Sequence, residues 1–448
     1  MSAPLPEKNK LGLWTSTSLV VGNMIGAGVF LMPAALASYG SVSLLGWIFS
    51  GIGAFLIARV FANLSKMLPA ATGGPYAYTH HSLGGFAGFL IAWGYFIATA
   101  CANAVISISF VGAMSTFLPL LAHNAVAAVA MGLGATWLLS WINTLGVTTS
   151  GKVQLLTTIL KLTPLFLVAV GGLFFIRLEN FHPFNNTGTS TFAAITASAS
   201  FTLYAFVGVE SATIPAGSVA DPGKTIARAT MLGLLVATVV YLLGSISVMG
   251  IIPSKQLQTS ITPFADAAVI MWGRQARYWV SAGVAIAAFG ALNGWILMQG
   301  QIPYAAAKDK LLPSVFAKRN KAGVPYMGIL VNAIMVSIFI GMNYTKGLVE
   351  QFKFLVLLAT LTTLVPYAFC TAAYIIARVE KVSFTSAGWV SAIVLFVLAF
   401  SFSLWAIWGI GQQAIALGFL LLLAGIPFYA LIIYSNKSQE SRDNLLGK

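Results

Sequence analysis

From Leu11 to Tyr434 the chain alternates long apolar stretches with short polar breaks. Twelve stretches are long enough to cross a ~30 Å hydrocarbon layer as helices, at about 12–38, 43–66, 86–117, 125–145, 152–177, 192–219, 228–252, 278–305, 325–342, 354–378, 387–408 and 412–435. Helices are expected because backbone in lipid must satisfy its own hydrogen bonds, which a helix does within one segment. Alternating strands of about ten residues are absent from the pattern, so an outer-membrane barrel is not expected. The polar breaks reach only tens of residues, too short for a soluble catalytic module. The function is therefore expected among the helices.

Two spans are interrupted. The first reads Val21-Gly22-Asn23-Met24-Ile25-Gly26-Ala27-Gly28-Val29-Phe30, with three glycines and an asparagine near mid-membrane. The sixth reads Tyr204-Ala205-Phe206-Val207-Gly208-Val209-Glu210-Ser211, then Pro215. Glycine disfavours helix and permits unwinding, and unwound backbone at membrane depth is tolerated where it lines a cavity or is buried in protein. Packing glycines of small-xxx-small type explain one such span well. They explain poorly two spans in corresponding places, first and sixth, a spacing that marks two inverted five-helix repeats with a site between them. The expected units are a leader over 1–11, repeats over 12–177 and 192–378, two further helices over 387–435, and a tail over 436–448. An unwound span offers unpaired N–H groups at one half-helix start and unpaired C=O groups at the other half's end. Those ends suit the carboxylate and ammonium of a free amino acid, with no charged side chain needed for either. Small residues near Ala34 to Ala37 loosely resemble a signal-peptide cleavage site, but the first span is too long and too glycine-rich for one.

Composition narrows the class. Of 448 residues, 58% are hydrophobic and 8% charged, which excludes a soluble enzyme, a secreted disulfide scaffold and a disordered chain. The net charge of +14 comes from 24 basic and 10 acidic side chains. With twelve spans both termini share a side, and roughly 17 of the basic residues fall on that side against roughly 6 on the other. The bias makes the terminal side cytoplasmic and explains the charge without a nucleic-acid partner. Cys101 and Cys370 lie in apolar runs, so no disulfide framework is implied. His80 and His81 are expected on a solvated loop, and His123 and His182 lack metal-ligand spacing. No phosphate-cradling Walker sequence appears, so ATP is not the expected energy source. Glu210 and Lys161 are the acid and base placed deep in the bilayer, where an unpaired charge costs several kcal/mol and marks function by default.

The segments Gly22 to Phe30, Thr72-Gly73-Gly74-Pro75-Tyr76-Ala77-Tyr78, Phe206 to Ser211, Ala291-Leu292-Asn293-Gly294-Trp295, Ala305-Ala306-Ala307-Lys308-Asp309 and Thr363-Leu364-Val365-Pro366-Tyr367 resemble the amino acid–polyamine–organocation transporters. Within that superfamily the chain is most similar to bacterial basic amino acid/polyamine antiporters of the arginine/agmatine exchanger type, over nearly its whole length. The resemblance implies an all-α integral membrane protein of twelve transmembrane helices, in a five-plus-five inverted-repeat, leucine-transporter-type fold with helices 1 and 6 broken. It implies no enzyme but a secondary active transporter of the bacterial inner membrane, with both termini cytoplasmic. A cationic amino acid (arginine, ornithine or lysine) would be exchanged for its amine or another amino acid by alternating access.

By position, the resemblance implies that Ala27 and Gly28 give backbone N–H groups to the substrate carboxylate, within an unwound segment that includes Asn23 and Gly26. The carbonyls of Met24, Tyr204 and Val207 take the α-ammonium. Ala98, Thr99 and Asn103 line the side-chain pocket, with Asn103 contacting the distal end, and Trp295 lays its ring on the aliphatic stem or a guanidinium. Tyr95, Tyr204, Trp295 and Tyr367 gate the site. Glu210 is the acid-sensing residue. Lys161 sits where related transporters carry a lysine in place of a sodium ion, so no metal, no sodium dependence and no cofactor are expected, and Glu210 and Lys161 are the groups that could carry a proton. A homodimer is implied. The chain departs from the antiporter pattern at Ala27, usually serine, at Tyr204, often tryptophan, and at Lys161, otherwise apolar. Those departures keep an alternative in view, a proton-coupled carrier of neutral or broad-range amino acids.

Overall fold

The computed structural model describes residues 11–445 except 27, 70, 72, 146–149, 215, 217, 218, 343–346 and 382–385, and gives the backbone alone for 28, 150–159, 161, 381, 386, 387 and 436–445. The described residues are helical throughout, apart from loops and one isolated bridge between Leu11 and Val219. The first span is α1 (Leu13–Met24) and α2 (Gly28–Ala37), followed by α3 (Ser43–Met67), a short connecting helix α4 (Pro75–Leu83), α5 (Gly85–Met114), the turn α6 (Leu120–His123), α7 (Ala125–Thr144) and α8 (Ser150–Gly171). The sixth span starts as α9 (Thr191–Thr202), and α10 (Pro222–Ile251) is the seventh. Two connecting helices, α11 (Ser254–Leu257) and α12 (Pro263–Trp272), precede α13 (Ala276–Lys308), α14 (Tyr326–Gly341) and α15 (Leu348–Lys381). The last two spans are α16 (Ser386–Gly409) and the pair α17 (Gln412–Leu423) and α18 (Gly425–Leu445). Ten of these segments are long and apolar enough to cross a membrane, and α8 and the 16-residue α14 bring the number to twelve.

Local chemistry sets the helix ends. Ser190 begins α9 and Asn124 begins α7, each side chain accepting a hydrogen bond from the backbone N–H three residues on. In α4, Gly74 at φ +69° turns the chain in, Pro75 pre-sets the first helical φ, and Gly84 at φ +86° ends it. The middle of the bundle is α5, buried along nearly its whole length against α13 and α15. In contrast, α16, α17 and α18 leave Leu404, Trp408, Leu420 and Phe428 exposed, as lipid-facing helices do.

Three expectations are corrected. The first break is narrower than the interrupted stretch from Val21 to Phe30: Gly22, Asn23 and Met24 remain helical, and the chain leaves the helix only at Ile25. The second is wider than the stretch from Tyr204 to Ser211: α9 ends at Thr202, giving way to 3-10 turns at Leu203–Phe206 and Ser211–Thr213 around a turn. Thr202 itself helps end the helix, its hydroxyl engaging the carbonyls of Ser198 and Ala199 and the Ser50 hydroxyl on α3. Third, His80 and His81 lie on α4 and not on a loop.

Candidate functional site

The sixth span stays irregular because other elements satisfy what the helix no longer does. Tyr241 of α10 donates its hydroxyl to the carbonyl of Ala205 at 2.9 Å. Its ring packs on Trp47 and edge-on to Phe206, with centroids 5.2 and 5.6 Å apart. Each such aromatic pair contributes ~0.5–1.5 kcal/mol beyond burial, so freed backbone is held by side chains of α3 and α10, the second and seventh spans, in place of a ladder.

The two breaks meet at Gly208, whose φ of +106° is open to glycine. A Cβ there would lie 3.2 Å from Asn23 C, Met24 N and Trp295 Cζ2 alike. Around this contact the first, sixth and eighth spans are tied together. Asn23 Nδ2 donates to Ser211 Oγ and Met298 Sδ, both at 3.0 Å, and Trp295 Nε1 donates to the carbonyl of Asn23 at 3.3 Å. The Ile25 N–H closes α1 on Val21, and the Gly26 N–H turns back to the Met24 carbonyl at 2.8 Å.

A narrow void lies beside the junction, lined by Asn23, Met24, Gly26, Val29, Ala102, Ile106, Tyr204, Ala205, Val207 and Trp295. Its volume of about 10 Å³ is room for about one water and not for an amino acid. A substrate therefore requires the helices to part. On one side, α12 lies over α2, with Phe264 edge-on to Phe30 at 5.3 Å. On the other, α4 is fastened by Gly73 N–H to the Ile214 carbonyl at 3.1 Å, by Cys370 Sγ to the Pro75 carbonyl at 3.5 Å and by Tyr76 to Asp309 at 3.3 Å. Burial and the Asp309 charge raise the pKa of the Tyr76 phenol, which stays a donor.

Glu210 is fully buried, and three donors from three elements converge on its carboxyl. Tyr95 of α5 donates to Oε1, while Tyr367 of α15 and the Gly208 N–H donate to Oε2. The carboxyl thus joins the sixth span to the third and tenth.

Six expected contact residues line the void: Asn23, Met24, Gly26, Tyr204, Val207 and Trp295. Ala27 lies outside the described residues, and of Gly28 only the backbone is described. The structure does not bring Ala98, Thr99 and Asn103 to the void. Thr99 bonds back to the carbonyls of Tyr95 and Phe96, and Asn103 donates to Asn332 on α14 at 3.2 Å. The face of α5 at the void carries Ala102 and Ile106, one helical turn apart and turned about 100° and about 60° around the helix from Asn103. Sequence reasoning missed both, and Val29 and Ala205 as well, because small and aliphatic residues in a span resemble packing. Tyr95 and Tyr367, expected as gates, both donate to Glu210. The side chain of Lys161 lies outside the described residues; its helix, α8, packs against α1, α10 and α13.

Broken first and sixth spans meeting at a buried void define the class, a secondary transporter of leucine-transporter-type fold. The chain aligns structurally with a substrate-bound, outward-open Na+-coupled sialic acid symporter at TM-score 0.57, covering 91% of this chain and 90% of that one. At 11% identity the likeness concerns fold alone. The chain belongs to the amino acid permease family, whose model matches residues 11–434. It is 34% identical over 447 residues to the cadaverine/lysine antiporter of Escherichia coli strain K12, covering 98% of each chain. It is 28% identical over 432 residues to a putrescine transporter of the same strain, covering 95% of this chain and 97% of that one. The protein is a multi-pass membrane transporter and not an enzyme.

Proposed function

We propose that this protein exchanges a cationic amino acid (arginine, ornithine or lysine) for its amine or a second amino acid by alternating access. The observation that carries the reading is the junction at Gly208, where two interrupted spans place backbone ends around one void. The relatives named for lysine, cadaverine and putrescine support a cationic substrate. In this reading the N–H groups at 27 and 28 take the carboxylate. The carbonyls of Met24, Tyr204 and Val207 take the ammonium; those of Met24 and Tyr204 already accept one internal hydrogen bond each and have a second lone pair to offer. Trp295 and Tyr204 flank the aliphatic stem, and opening rotates α5 so that Ala98, Thr99 and Asn103 reach the distal group.

Spans 1, 2, 6 and 7 rock against spans 3, 4, 8 and 9 about the central site, with α4 closing the cytoplasmic side and α12 the outer side of the inner membrane. Both termini are cytoplasmic by the basic-residue bias. Glu210, clasped by Tyr95 and Tyr367, and Lys161 on α8 carry any proton coupling. No sodium is required, no metal or other cofactor takes part, and copies pair through the last two spans as a homodimer.

The test is counter-flow in proteoliposomes. Labelled arginine or lysine should enter only when internal arginine, lysine, ornithine, agmatine or cadaverine is present. Uptake indifferent to internal substrate would defeat exchange. One observation favours the second reading, a proton-coupled carrier of neutral amino acids: no carboxylate lines the void among the described residues. Proton-driven alanine or leucine uptake into vesicles without counter-substrate would decide for it.

A further inference from the structure

The segment joining the eighth and ninth spans gathers Lys308, Lys310, Lys318, Arg319 and Lys321 around a single acid, Asp309. Asp309 is turned toward α4, where it accepts from Tyr76 and lies 3.9 Å from His80 Nδ1. Lys308, Lys318, Arg319 and Lys321 are exposed and, among the described residues, have no carboxylate partner. Two of these cations converge on one ring. Lys308 Nζ lies 4.9 Å and Arg319 Cζ 4.5 Å from the centroid of Tyr304. The ring attracts each weakly at an exposed site, while the like charges repel, so the pair is poised to gain from an anion.

The cations are held in a fixed frame. Asn320, beside Arg319, donates to the Thr144 carbonyl on α7 at 2.5 Å and accepts from the N–H groups of Ala322 and Val324, each at 3.0 Å. Phe316, in the 3-10 turn Ser314–Ala317, packs edge-on to Phe96 of α5. Tyr304 lies in the last turns of α13, where a span leaves the hydrocarbon and where rings and headgroups share a depth. The basic-residue bias accounts for cations on this side of the protein, though not for their convergence on one ring.

We propose that Lys308 and Arg319, set on Tyr304, bind the phosphate of an anionic phospholipid headgroup, with Lys318 and Lys321 adding to the local field. Arginine's planar fork matches two phosphate oxygens, and lysine supplies a point charge. A lipid is the fitting source, and free phosphate is not. The nearby helix end is a C-terminus, whose dipole opposes an anion, and a lipid already confined to the surface needs less affinity to stay. The site stands whether or not the exchange reading holds.

The test is native mass spectrometry of the purified full chain in detergent with phosphatidylglycerol and phosphatidylcholine of matched chains. The wild type should retain phosphatidylglycerol preferentially. The Lys308→Gln/Arg319→Gln pair should lower that preference roughly tenfold, with Tyr304→Leu between. A charge-matched pair on the same side, Lys66→Gln/Lys224→Gln, should keep it. Arg319→Gln alone carries the same test should the pair not accumulate. An unchanged preference in the first pair, or an equal loss in the second, overturns the site. Displacement of the lipid by millimolar inorganic phosphate at equal affinity would reassign it to soluble anions and overturn the lipid proposal.

Discussion

At the residue scale, Gly208 carries the heaviest constraint. A methyl group there meets backbone of the first span and the ring of Trp295 together, from a φ that side chains rarely adopt. Gly208→Ala is expected to lower exchange more than tenfold and to destabilise the fold by ~1–3 kcal/mol, read as vesicle transport and a lower Tm in detergent. Glu210 makes a second case, since its carboxyl holds two phenols and a backbone N–H. Tyr367→Phe leaves that buried carboxyl one donor short, at a cost of ~1–3 kcal/mol. Slowed exchange with the detergent Tm lowered by a few degrees is expected. An unchanged rate and Tm would mean that the clasp is incidental. Glycines and a carboxyl were legible in the sequence because both are out of place in lipid. The direction in which Asn103 points was not. Neighbouring α5 positions are equally plausible until packing against Asn332 fixes the helix rotation.

At the scale of elements, the twelve spans were legible because their length and hydropathy are imposed by the membrane. The connecting helices α4 and α12 were not, being short and without a long apolar run. Their function is packing, which no local pattern reports: α4 is fastened to the sixth, eighth and tenth spans, and α12 lies over α2. The irregular stretch after Thr202 was also underestimated, because Tyr241, Trp47 and Phe206 that sustain it are far apart in sequence. Asp309→Asn keeps the shape of the anchor and removes its charge, so α4 should loosen. A cysteine replacing the half-buried Ser82, whose hydroxyl oxygen is shielded in the packed helix, is expected to react several-fold faster with a thiol reagent in that background, measured by labelling time course.

At the scale of the molecule, orientation and coupling can be checked without a ligand pose. Cys101 and Cys370 are buried, leaving the surface free for reporters. Gln275→Cys, between α12 and α13, should react with an impermeant maleimide added to intact cells, and His81→Cys on α4 only after permeabilisation. The reverse pattern would invert the proposed topology. Exchange should be equal in sodium and potassium buffers; a several-fold sodium stimulation would remove the proposed role of Lys161.

The knot of Asn23, Ser211, Met298, Gly208 and Trp295 binds both interrupted spans to the eighth. Neither interruption can swing alone without tearing several polar contacts that have no solvent to turn to. Cargo that inserts its own ends there substitutes for what is torn. Single-molecule distance records should accordingly show long dwells and abrupt two-level jumps whose frequency rises with cargo concentration, while the bare protein stays locked.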